Sequence, residues 1–452
     1  MKLLVLIFLS TCCLAGKALA QKAADLPYDF ALLRQHDDLS LYATESHSSF
    51  YPGIRYLPLG QEGFLSFGGS YRGQYEYFNN ETFEQVPQED HAWYLQRLLL
   101  HTHLSIGRNF RLFAETGSSI VAGKTEQSPV DRDELYINQL FIQWQAGALR
   151  LNAGRENLKM GSRRLVDPRE GPNVRRSFDH LSLRYQTAPD KYAISTFVSS
   201  PVRPRPGSWD NEALHGEEYF WGTYVSDIRP GKFIRADLYY LGISYEENSY
   251  ALLSGRETRH SLGLRANGLL PKWGYDHEAV IQTGRLAGQT IFAWTISFNS
   301  WFRPKQSQQA GLKTELISGD GNGRTAGTFN AMYPRGAYFG RVARFGPANL
   351  IDLHPYWNIR KGKLFVELDY DVFWRFSTED AVYDPALNVI SFGPNDQRFI
   401  AQQLGTLFNL ELSPFVSAEL ETNYIIAGGY LQAVKSDARN LLHAVFTLEA
   451  RF

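Results

Sequence analysis

Leu65-Ser66-Phe67-Gly68-Gly69-Ser70-Tyr71-Arg72-Gly73-Gln74-Tyr75-Glu76-Tyr77 alternates along its whole length. The odd positions are apolar, aromatic or glycine, while the even ones carry Ser66, Gly68, Ser70, Arg72, Gln74 and Glu76. Successive side chains of a β-strand point to opposite faces, so this strand has one greasy face and one polar, charged face. Such a strand suits a sheet with hydrocarbon on one side and water on the other. The pattern returns at Leu364, Val366, Leu368, Tyr370, Val372 and Trp374, set against Glu367, Asp369, Asp371 and Arg375. It returns again at Val416, Ala418, Leu420, Thr422 and Tyr424, opposite Ser417, Glu419, Glu421 and Asn423.

Soluble β-sandwiches alternate too, but their strands average about 5–6 residues. Many runs here last about 10 to 14 residues, the length of a tilted membrane strand. About 18 such runs follow one another, an even number as bacterial barrels favour. They begin near Gly63, Ala92, Phe110, Glu134, Leu149, Asp179, Lys191, Glu218, Phe233, Glu257, Gly274, Thr290, Gln308, Asn349, Lys363, Arg398, Val416 and Leu441. Short links such as Gly107-Arg108-Asn109, Ala146-Gly147-Ala148, Pro271-Lys272, Arg303-Pro304-Lys305 and Ser413-Pro414 alternate with long ones. The long links cover roughly 79–91, 122–133, 159–178, 200–217, 319–348 and 377–397. Outer-membrane barrels keep short turns in the periplasm and long loops outside, so the pattern predicts both termini on the periplasmic side. The last run, Leu442 to Phe452, alternates and stops on an aromatic residue, which resembles the assembly signal of outer-membrane barrels. Pairing it with the first run would leave no sheet edge exposed to lipid. The sequence therefore predicts an all-β, transmembrane antiparallel barrel of about 18 strands.

Composition agrees. Aromatics make up 14% of the 452 residues, and outside the extreme N-terminus we find no apolar stretch long enough for a membrane helix. Lys2, the apolar run from Leu3 to Leu9, and Ala18-Leu19-Ala20 read as a secretory signal over 1–20, with a periplasmic lead-in over 21–62 and the barrel over 63–452. Cys12 and Cys13 fall inside the signal, which leaves no disulfide in the mature chain; a lipoprotein signal acylated at Cys12 is the alternative. Loss of Lys2 and Lys17 takes the formal charge from −1 to −3, with no sign of nucleic-acid binding.

A one-residue slip would put Arg375 on the lipid face at a cost of about 2–4 kcal/mol near mid-bilayer, so the polar faces must point inward. The inward set includes Arg72, Arg97, Arg111, Arg150, Arg184, Arg235, Arg259, Arg265 and Lys313, followed by Glu367, Asp369, Asp371, Glu411, Glu419 and Glu421. In chain order this makes a basic wall and an acidic wall. Two readings follow: a transverse field selecting charged solutes, with Arg375 and the acids also on the pathway, or Arg–Glu pairs bracing the bore. The densest basic cluster is Arg155, Arg163, Arg164, Arg169, Arg175 and Arg176. Guanidiniums hold carboxylates bidentately, which suits an acidic sugar, whereas an exposed loop here would meet lipopolysaccharide phosphates. Alternation puts Arg155 on the side of Leu149 and Leu151, unless Gly154 bulges or the position lies near the rim.

Gly154-Arg155-Glu156-Asn157-Leu158, Gly161-Ser162-Arg163-Arg164-Leu165-Val166 and Asn173-Val174-Arg175-Arg176-Ser177-Phe178-Asp179 resemble the linked motifs of the alginate export family of outer-membrane proteins. Trp221-Gly222-Thr223-Tyr224, Ser261 to Arg265 and Ser318-Gly319-Asp320 extend the resemblance across about Tyr56 to Phe452. It implies an 18-stranded barrel exporting an anionic uronate polymer through an arginine-lined pore. Glu156-Asn157 and His180 depart from the family pattern, and fold transfers better than substrate.

Other constellations are thin. His101 and His103 share a face without a third ligand at metal spacing, so no metal and no cofactor is predicted. Gly319 to Thr325 is glycine-rich but lacks a P-loop lysine, and reads as an external loop that could fold into the bore. No nucleophile motif supports an enzyme. The expectation is a bacterial outer-membrane channel, surrounded by lipid and lipopolysaccharide, passing anionic polysaccharide or small acidic solutes with periplasmic export components as further partners. A general porin, a barrel enzyme and an adhesin are the alternatives.

Overall fold

The computed structural model describes residues 30–43, 50–83, 90–321, 323, 325–393, 395–435 and 437–452. The secretory signal predicted over 1–20 lies outside the described residues. Eighteen strands follow one another around a ring. The first six are β1 (Gly63–Asn79), β2 (Asp90–Ile106), β3 (Phe110–Ala122), β4 (Asp133–Ala146), β5 (Leu149–Glu156) and β6 (Phe178–Tyr185). Next come β7 (Ala193–Pro201), β8 (Glu218–Gly231), β9 (Ile234–Ser249), β10 (Ser254–Leu269), β11 (Trp273–Leu286) and β12 (Gln289–Lys305). The ring ends with β13 (Gln308–Ile317), β14 (Leu350–Lys361), β15 (Leu364–Arg375), β16 (Phe399–Ser413), β17 (Val416–Ala427) and β18 (Leu441–Arg451). Every neighbour is antiparallel, and a three-residue strand, Leu57–Leu59, is appended to β1.

Closure is made by β1 and β18, in register from Ser70 opposite Arg451 to Asn79 opposite Leu442. Phe452 completes the seam by exchanging backbone hydrogen bonds with Gly69 (2.7 and 2.9 Å). The alternation thus delivers what hydrocarbon demands, a sheet with no unpaired edge across the ring.

Face assignments follow the sequence pattern. Phe67, Tyr75, Tyr370, Leu420 and Phe446 are exposed on the outer surface, while Arg72, Arg97, Asp371 and Glu421 are buried within. Leu262, near the middle of β10, is 62% exposed to what would be lipid. Leu262→Arg should therefore cost about 2–4 kcal/mol, against about 0–1 for Leu269→Arg at the strand end. Urea titration of refolding into liposomes checks the difference.

Two details differ from the sequence reading. Arg303-Pro304-Lys305 belongs to β12, and the turn falls just after it. Also, the link between β11 and β12 is only Ala287-Gly288, although it lies on the long-loop side; both residues have positive φ (48° and 84°), as a tight hairpin requires. The seventh loop (318–349) covers that place, with Ala326 N–H donating to the Thr290 carbonyl (2.9 Å).

The largest apolar cluster lies inside the ring. It joins Leu165, Val166, Phe178 and Phe220 to Tyr333, Phe339, Phe345 and Phe373, so residues from the loops pack against the walls. Loop residues thus occupy much of the outer half of the barrel.

Candidate functional site

The third loop (157–177) leaves β5 and turns into the bore. Asn157 fixes that turn: its N–H donates to Gln139 Oε1 (3.0 Å) and its side chain to the Arg176 carbonyl (2.8 Å), tying both ends of the loop to one place. Gly161 passes so close to Tyr224 that a Cβ there would lie 2.2 Å from the hydroxyl oxygen, and its φ of +49° also favours glycine. Arg164 then pairs with Glu315 of β13 and Glu278 of β11 (3.5 Å). The loop returns across the bore to β1 and β2. There Glu170 accepts from Arg97 and from Arg175 (2.6 Å), while Arg72 donates to the carbonyls of Glu170 (2.6 Å) and Pro172 (2.8 Å). Burial alone would raise the Glu170 carboxyl, but Arg175, Arg97 and Arg72 outweigh it and hold the group well below the ordinary carboxylate range.

The seventh loop enters from the other side. Tyr333 locks the two loops together, accepting from Asp167 N–H (2.9 Å) and donating to the Leu165 carbonyl (3.0 Å). Arg259, fully buried, pairs with Glu257 and donates to the Thr328 carbonyl (3.1 Å), anchoring the loop to β10. At its inner end Arg341 meets the acidic wall, its N–H donating to Glu421 (2.6 Å) and its side chain to Glu419 (2.8 Å). Each loop therefore brings the counter-charge of the wall it touches. The two opposed charged walls expected from strand order are largely compensated at mid-bore, which favours the reading of Arg–Glu braces over that of a simple transverse field.

An outer and an inner cavity lie among the described residues. The outer one, about 650 Å³, is lined by Lys124, Arg169, Arg176, Arg203 and Arg344 among others. The inner one, about 270 Å³, carries five guanidiniums against three carboxylates. Arg175 and Arg341 line both, and each keeps a buried Nη1 without a hydrogen-bond partner. Arg176 lies over the Tyr333 ring (4.8 Å) and also keeps a buried Nη1 unpartnered. Burial, with Arg176 alongside, pushes the Arg169 guanidinium down to about 9, so it is a cation at neutral pH held without full compensation. An anion would satisfy these groups.

The periplasmic mouth is occupied by the N-terminal segment. Asp37 accepts from Arg34 (2.8 Å) and Arg55 (2.7 Å), all three nearly without exposure. Arg34 donates to the carbonyls of Gly69 (2.9 Å) and Phe452 (3.1 Å), and Arg55 to that of Phe67 (3.1 Å), so the clamp grips the closure seam. Phe30, Ala31 and Leu32 then form one side of the inner cavity.

The remaining predicted residues are mostly braces. Arg163 closes on Asp167. Arg375, fully buried, stacks on Tyr430 (3.9 Å) and donates to the carbonyls of Thr378 (2.8 Å), Asn395 (2.7 Å) and Gln397 (2.7 Å), holding the eighth loop (376–398). Arg111 donates to His103 (2.9 Å) and the Gln35 carbonyl (3.2 Å), while His101 meets Arg55 (3.1 Å). Arg150 and Arg184 donate to Gln145 (3.3 Å) and Gln186 (3.0 Å). Arg265 grips Asp276 (2.6 and 2.7 Å) and Asp237 (3.1 Å). Lys313 sits over Tyr356 (4.7 Å), Glu367 accepts from Asn358 (3.2 Å), Asp369 lies beside Gly405, and Asp371 meets His354. Arg235 and Glu411 are exposed near the turns.

Arg155 leaves the pathway. Gly154 opposes Phe141 and Arg155 opposes Leu140 without a register break, so Arg155 stays on the outer face with Leu149 and Leu151, paired to Asp179 (2.9 Å) next to the rim. Arg341 and Arg344, conversely, were not singled out by the sequence. Their signal was Tyr333-Pro334-Arg335-Gly336-Ala337-Tyr338-Phe339-Gly340-Arg341, too aromatic for a solvated loop.

A family model described as alginate export matches residues 64–444. No curated protein matches the sequence significantly. Among solved structures, the barrel resembles OccAB1 of Acinetobacter baumannii, at 10% identity and TM-score 0.58 over 86% of this chain and 97% of that one. It also resembles OccK11 (OpdR) of Pseudomonas aeruginosa, at 10% identity and TM-score 0.55 over 88% and 99%. At such identity the likeness concerns the fold.

Proposed function

This chain belongs to the alginate export family, and we propose that its outer-membrane channel passes anionic saccharide or small acidic solutes passively, selecting them where Arg175 and Arg341 share the passage. One observation carries the reading: both guanidiniums stand where the outer and inner cavities meet, each with a buried N–H aimed at no protein acceptor. Buried donors without partners are costly, and a passing carboxylate supplies the missing acceptor. In the same reading residues 1–20 are the export signal, 21–62 a periplasmic lead-in, and lipid and lipopolysaccharide surround the barrel. Periplasmic export components would meet it at the turn side.

The compensation of the two walls favours a second reading, a general porin. Reversal potentials in planar bilayers separate them. At contact in water a unit charge is worth about 1 kcal/mol, so Arg175→Gln or Arg341→Gln should each lower the anion-to-cation permeability ratio by about fivefold. Uronate oligomers should block the wild-type current while neutral oligosaccharides do not. A wild-type channel without anion preference overturns the proposal in favour of the general porin.

A further inference from the structure

We propose that Asp352, His354 and Asp371 form a binding site for a divalent transition-metal ion of the zinc class on the acidic wall of the bore. Asp352 and His354 lie two apart on β14 and so share the inner face, and the Leu353–Val372 pairing brings Asp371 of β15 alongside His354. One ligand atom from each lies within 4.8 Å of the others. Asp352 is 1% exposed, Asp371 0% and His354 6%.

A second observation points to a ligand. Both carboxylate oxygens of Asp352, and His354 Nε2, are buried with no hydrogen-bond partner. Among the described residues no lysine or arginine nitrogen comes within ion-pair distance of Asp352 or Asp371. Lys313, opposite His354 in register, is drawn instead over the Tyr356 ring (4.7 Å), and Arg164 is committed to Glu315 and Glu278. Two carboxylates withdrawn from water without a cation carry a large desolvation cost, which a bound dication removes.

The donor set chooses the ion. One imidazole nitrogen with two carboxylate oxygens suits zinc and its neighbours, with a position left for water, whereas calcium and magnesium want oxygen donors in larger number. Gln403 acts in the layer behind, donating to Asp371 Oδ2 (3.2 Å) and to the Phe339 carbonyl (2.8 Å). The ion would thereby clamp β14 to β15 and, through Gln403, to the loop that carries Arg341. The site is independent of what the channel passes.

The test uses the full, tag-free mature protein in detergent, stripped with chelator and then dialysed against zinc with calcium and magnesium in excess. Elemental analysis should find about one zinc per barrel in the wild type and background levels in Asp352→Asn and Asp371→Asn. Gln403→Leu should weaken zinc about tenfold without abolishing binding. Heat-modifiable electrophoretic mobility shows which variants are folded. If the Asp variants fail to fold, the wild type still decides: zinc should raise its unfolding temperature, and Gln403→Leu should need more zinc for the same rise. Absence of bound zinc in the wild type overturns the site, as does equal zinc in folded Asp352→Asn; carboxyl protonation seen by infrared in the zinc-free wild type, with no zinc uptake, would mean that the two acids share a proton instead.

Discussion

Glu170→Gln should open the bore. This one carboxylate receives Arg97 and Arg175 directly and has Arg72 Nη1 at 3.8 Å, so it is the point where the third loop is fastened to β1 and β2. Glutamine keeps the shape and removes the charge, leaving three guanidiniums that are each no more than 5% exposed without their shared counter-ion. Breaking a buried pair from one side costs about 3–5 kcal/mol, and the lower end applies because Glu170 borders the inner cavity and is 24% exposed. That is comparable to the whole stability of a loop, so the loop should swing away from β1 while the strands, held by their own ladders, stay intact. Single-channel conductance should rise on the order of twofold, and the loop should become open to protease. Glu81→Gln, which removes the partner of Arg344 at 3.0 Å in a more exposed pair, should change little. Wild-type conductance in Glu170→Gln would show that the backbone contacts between Tyr333 and the third loop suffice to hold it.

Asp37→Ala should release the lead-in from the periplasmic mouth. Arg34 and Arg55 converge on this carboxylate from either side, and both also donate to carbonyls of the closure seam. Without Asp37 two buried guanidiniums face one another, again a loss of about 3–5 kcal/mol. The inner cavity then loses the wall made by Phe30, Ala31 and Leu32. Current should increase, and proteolysis added from the periplasmic side should trim the N-terminus far faster than in the wild type. Unchanged current with a fully trimmed N-terminus would mean that the lead-in does not limit flow. The Glu170 and Asp37 changes share no ion-pair partner, yet both border the inner cavity, so their effects on current should be coupled rather than simply additive.

Much of the barrel is legible in the amino-acid sequence alone. The eighteen expected strand starts fall within three residues of those observed, from Gly63 to Leu441. The inward face of β1, with Arg72, and that of β15, with Asp371, came from alternation alone. The constriction did not. Arg97, Arg259 and Arg375 fasten loops and Arg72 both fastens the third loop and borders the inner cavity, a division that alternation leaves open, while Arg341, one of the two arginines shared by both cavities, sits in a segment without periodicity.

Alternation determined the ring, its closure and its register, because side chains of period two must satisfy hydrocarbon and water at once, and that constraint acts at every residue of every strand. The filling of the ring was decided only by tertiary structure. Arg164 meets Glu315 across 151 positions and Arg341 meets Glu419 across 78, and a pairing over such distances leaves no local pattern behind. Whether a guanidinium braces or beckons depends on which carboxylate the folded chain has already placed beside it.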